Sequence, residues 1–132
     1  MNIKEDLKKV LETAVKLLSA IEASEVKLHS AKKELEQSSS HVKLINTKEL
    51  NLSLQNVINI LKIFQKELRE LDFEIPDIKD CNSDYFLEIS INNIHNDLLI
   101  KNKIERYIEK LEDIDDIVLE VYNKLKNELK KY

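Results

Sequence analysis

Residues 3–35 read IKEDLKKVLETAVKLLSAIEASEVKLHSAKKEL, and this stretch decides the fold. Ile3, Leu7, Val10, Ala14, Leu17, Ile21, Ser24, Leu28, Ala31 and Leu35 recur at alternating steps of four and three. An α-helix turns once every 3.6 residues, so this spacing lays them along one seam. A strand would need a step of two. Leu11 and Leu18 widen the apolar stripe in the first half, while Glu25 and Lys32 hold the equivalent later positions. The first half is therefore expected to be the more deeply buried. Ser38, Ser39 and Ser40 should end the helix, because serine side chains compete with it for backbone hydrogen bonds.

The same spacing returns twice. Leu50, Leu54, Val57, Leu61, Phe64, Leu68 and Leu71 make a second seam, preceded by Asn46 and Glu49 in the order of a capping box. Ile100, Ile104, Tyr107, Leu111, Ile114, Val118, Val121 and Leu125 make a third. Its helix should begin within 92–96 and run close to the end of the chain. Residues 72–92 lose the heptad, and Pro76 interrupts them. Within them YFLEISIN (85–92) alternates like a strand, whereas Leu87, Ile91, Ile94 and Leu98 would share a helical face. The expected fold is one all-α domain, residues 1–132. It is an elongated antiparallel bundle of three long helices with coiled-coil-like seams. A short helix or small β-hairpin is expected near 73–92. The first seam is longer than the second helix, and bare seam invites association, so a homodimer is expected.

Composition narrows the chemistry. The chain has 132 residues, no Gly, and Cys81 as its one cysteine. Without Gly there is neither a P-loop nor a dinucleotide fingerprint. A single Cys supports neither a disulfide framework nor a thiolate zinc site. The first residues, MNIKEDLKKV, contain no apolar signal core, and no run approaches a membrane span. A cytoplasmic protein away from the membrane, with no cofactor, is the expectation.

The net charge of −4 is unevenly spread: residues 67–120 hold sixteen acids against six bases. Such a segment repels nucleic-acid phosphates and suits a protein with a basic surface. On the last helix Glu105, Glu109, Glu112, Asp116 and Glu120 form a stripe, with Asp113 beside it. Like charges four apart cost a helix stability, so the stripe is read as a docking face. Phe73, Tyr85 and Phe86 fall outside the seams, and aromatics anchor interfaces where exposed. These nine residues are the expected partner-binding set.

Glu67-Leu-Arg-Glu70 and Glu112-Asp-Ile-Asp115 supply carboxylates three apart on two helices, which can share a cation. The pair resembles the ExxE and ExxD magnesium motifs of all-α nucleotide pyrophosphatases of the MazG type, although the gap between them is longer than in that family. The resemblance implies metal held by Glu67, Glu70, Glu112 and Asp115. Glu25 and His29, four apart, form a separate two-ligand pair. Glu-x-x-His and His-x-x-x-His are absent, so neither a ferritin-like nor a zincin signature is present. The expected function is non-catalytic binding of a protein partner, in the manner of an inhibitor, immunity protein or chaperone. A metal-dependent nucleotide pyrophosphatase and a structural component of a larger assembly are the alternatives.

Overall fold

The computed structural model describes residues 3–37, 47–71 and 97–132. They form three helices: α1 (Ile3–Gln37), α2 (Thr47–Leu71) and α3 (Asp97–Leu129). There is no strand among the described residues. The helix or hairpin expected near 73–92 lies outside them, as do Phe73, Tyr85 and Phe86. The three serines and Asn46, read as marking helix ends, lie outside the described residues. None of the three helices is long and apolar enough to cross a membrane.

The three heptad seams are the core. Leu7, Val10, Ala14, Leu17, Ile21, Leu28 and Ala31 of α1 are buried against Leu50, Leu54, Val57, Leu61, Phe64, Leu68 and Leu71 of α2, and against Ile104, Tyr107, Leu111, Ile114, Val118, Val121 and Leu125 of α3. Fully burying one such aliphatic side chain contributes about 1.5–3 kcal/mol, so the seams carry most of the cohesion. α1 is the central helix, since α2 and α3 both approach it closely along its length.

Contacts across the helices set their directions. Lys9 pairs with Glu67, and Lys27, eighteen residues further along α1, pairs with Glu49, eighteen residues back along α2. Lys32 pairs with Glu105, and Val15, seventeen residues back, shares a groove with Tyr122, seventeen residues forward. Both neighbours therefore run antiparallel to α1. Leu71 and Asp97 consequently lie toward opposite ends of α1.

One expectation changes. The first half of α1 is not the more deeply buried one: its seam is closed from Leu7 to Ala31, and Glu25 and Lys32 are half-buried like Leu11 and Leu18. The reason is that α3 runs beside these positions and covers their stems. Within a single chain the α1 seam is buried from Leu7 to Ala31.

Ser24 sits inside the seam at 1% exposure and is satisfied by the hydroxyl of Ser53 across the α1–α2 contact, at 2.6 Å. Ser24→Ala should lower stability by about 0.5–1.5 kcal/mol, the usual net worth of such a bond. The double variant with Ser53→Ala should cost less than the two single changes added together. A denaturant double-mutant cycle with no coupling would remove the bond from the account.

Candidate functional site

The heptad that buries the seams also dictates what flanks them. On α1 the residues after alternate seam positions, Leu18, Glu25 and Lys32, lie toward α3, with Val15, Glu22 and His29 further round the same side. On α3 the matching flank carries Glu105, Glu112, Asp115, Leu119 and Tyr122. Val15, Leu18, Glu22 and Glu25 line a groove with Asp115, Leu119 and Tyr122, and the same cleft continues through Glu25, His29 and Glu112 to Lys32 and Glu105.

The cleft is graded along its length. At one end the Lys32 ammonium stands 3.8 Å from the Glu105 carboxylate. Next come Glu25, His29 and Glu112, each offering one ligating atom within 4.8 Å of the others. Glu22 and Asp115 follow. They border an open groove of about 420 Å³ whose other walls are mainly apolar: Val15, Leu18, Leu119 and Tyr122. Lys126 Nζ stands over the Tyr122 ring, 5.6 Å from its centroid, within cation–π range.

Acids crowd the middle of this cleft. Burial pushes the Glu25 carboxyl above the ordinary range, and Asp115, Glu112 and Glu22 push it the same way, while His29 opposes them. Burial likewise raises Asp115, with Asp116 and Glu22 adding to it. A carboxyl raised in the folded state binds its proton more tightly there than in the unfolded chain. Its penalty is thus fully present above the folded value and fades as pH falls to the ordinary carboxylate range. Glu25→Gln and Asp115→Asn should each stabilise the protein at pH 7, by roughly a few tenths of a kcal/mol, the scale of exposed like-charge contacts. The gain should vanish near pH 4. Paired melting curves showing a loss at pH 7, or a gain that grows toward acid, would contradict this.

The remaining acids of the stripe divide by direction. Glu105 and Glu112 turn toward α1, whereas Glu109, Asp113, Asp116 and Glu120 are exposed on the outer side of α3. Glu120 pairs with Lys124 at 3.6 Å. Glu109, Asp113 and Asp116 make no ion pair among the described residues.

The four carboxylates of the pyrophosphatase resemblance are not brought together. Glu67 meets α1 at Lys9, and Glu112 meets it near Glu25 and His29. Those positions are roughly 24 Å apart along the helix axis. Glu67 is moreover only 5% exposed, with its Oε2 3.8 Å from Lys9 and its Oε1 buried without a hydrogen-bond partner. Glu70 is exposed. The grouping that does form, Glu25 and His29 with Glu112, joins two fragments that the sequence displays separately. Glu22 carried no signal in the sequence, since nothing in its spacing marks it off from other surface acids.

Fold and cleft together define an all-α protein with one crowded acidic cleft beside its central helix and a second, outward acidic surface. No protein-family model, curated protein or solved structure matches the chain.

Proposed function

We propose that the chain is a non-catalytic protein-binding module, an elongated bundle with coiled-coil-like seams that presents the outer side of α3 to a partner with a basic surface. One observation carries this reading. Glu109, Asp113 and Asp116 stand exposed on one long, well-anchored helix, with no cation of the described chain paired to them. Their mutual repulsion costs the isolated helix stability, and a basic partner would relieve it. An inhibitor, immunity protein or chaperone works in this way, by occupying a surface. The test is affinity capture with the wild-type chain and with the triple variant Glu109→Lys, Asp113→Lys, Asp116→Lys. The partner should be retained by the former and lost by the latter. Equal retention overturns the reading.

A further inference from the structure

We propose that Glu25, His29 and Glu112 form a binding site for a zinc-like divalent transition metal, tying α1 to α3. Glu25 and His29 are one helical turn apart and share a face of α1. Glu112 reaches them from α3, and the three ligating atoms lie within 4.8 Å of one another. Zinc–ligand bonds of 2.0–2.2 Å in a tetrahedron place ligand atoms about 3.4 Å apart. His29 and Glu112 are exposed and have the rotational freedom to close that gap. Their backbones belong to two packed helices, so side-chain rotation is all the site requires.

The donor set selects the metal. One imidazole nitrogen with two carboxylate oxygens suits zinc and its neighbours, whereas magnesium and calcium favour oxygen alone. Three protein ligands leave a fourth position for water or for a group from a partner. The surroundings point the same way. Glu22 and Asp115 add negative charge beside the three ligands, and the nearby Lys32 is already engaged by Glu105. To either side the α1–α3 interface sets Lys32 against Glu105 and gathers Val15 and Leu18 with Leu119 and Tyr122. Here Glu22 and Glu25 of α1 stand close to Glu112 and Asp115 of α3, acid beside acid across the two helices, an arrangement that a dication would offset.

Isothermal titration and thermal melting of the full chain, with zinc chloride and magnesium chloride as probes, test the site. Expected are one zinc ion bound per chain, a melting temperature that rises with zinc as ligand linkage requires, and little response to magnesium. His29→Ala and Glu112→Gln should each weaken zinc binding by more than about tenfold, since losing a group that merely supports a metal ligand already costs ten- to a hundredfold. Both replace exposed side chains, so the fold should survive, and the metal-free melt reports whether it has. Glu109→Gln, on the outer side of α3, should bind zinc like the wild type. Cys81, His41 and His95 are other zinc-ligand types in the chain. Zinc bound equally well by wild type, His29→Ala and Glu112→Gln would overturn the assignment, as would a wild-type chain whose melting ignores zinc. Because Glu109, Asp113 and Asp116 are untouched in these ligand variants, failure here leaves the partner-binding reading standing.

Discussion

Leu61→Asp and Leu111→Asp are each expected to lose a cooperative thermal transition. Both leucines are 0% exposed, one on each of the helices that flank α1. An aspartate at either position must bury a charge with no partner, or take up a proton, or force the helices apart. Burying even a neutral polar group unpaired costs about 2–7 kcal/mol, and an isolated charge costs more. Total stability for a domain is about 5–15 kcal/mol. Losing the leucine removes about 2–5 kcal/mol of transfer and cavity energy in addition. Leu52→Asp is the control: it makes the same chemical change on α2 at a position 63% exposed. That variant should melt within about 0.5 kcal/mol of wild type. Calorimetry showing a near wild-type transition for Leu61→Asp or Leu111→Asp would mean that its seam faces water.

Charge reversal at Glu109, Asp113 and Asp116 is the second large effect, and it falls on binding rather than stability. The three side chains lie outside the core, so replacing them with lysine removes no packing. Lys at 116 would stand four residues from both Glu112 and Glu120, turning two repulsive spacings into attractive ones. Each is worth about 0.2–0.5 kcal/mol to a helix. The folded state should therefore be as stable as before, or slightly more so. Toward a basic partner the local charge changes by six units. Like charges brought together across an interface cost several kcal/mol, and steering of the encounter is lost as well. A partner held at micromolar affinity would fall beyond detection. Circular dichroism melts check the first half of this expectation, and capture the second.

Much of the fold is legible in the sequence because a heptad speaks directly to burial. Every seam position with a described side chain from Leu7 to Ala31, Leu50 to Leu71 and Ile104 to Leu125 is buried, Ser24 included. The rotation of each helix about its own axis follows from that pattern alone. Axial offset does not follow from it. Sliding α3 along α1 by one heptad, roughly 10 Å, keeps seam against seam and changes every pair across the cleft. This is why Glu25 and His29 could be seen as a pair while Glu112 could not be assigned to them. It is also why Glu67 and Glu112 could be matched to a motif that the register separates. The register itself has a rationale after the fact: it sets Lys32 against Glu105 and gathers Val15 and Leu18 with Leu119 and Tyr122. Residues 72–92 resisted for another reason, since strand and helix periods overlap there and Pro76 breaks both.

The outer side of α3 as a docking face is tested most directly by the affinity of the captured partner across a salt titration, measured for wild type and for the triple lysine variant. Exposed charges are screened over about 8–10 Å near physiological ionic strength. The wild-type complex should weaken steadily as salt rises, and the variant should bind weakly at every salt concentration. Equal affinity of the two proteins at both low and high salt would contradict the claim, and would move the binding site toward Phe73, Tyr85 and Phe86.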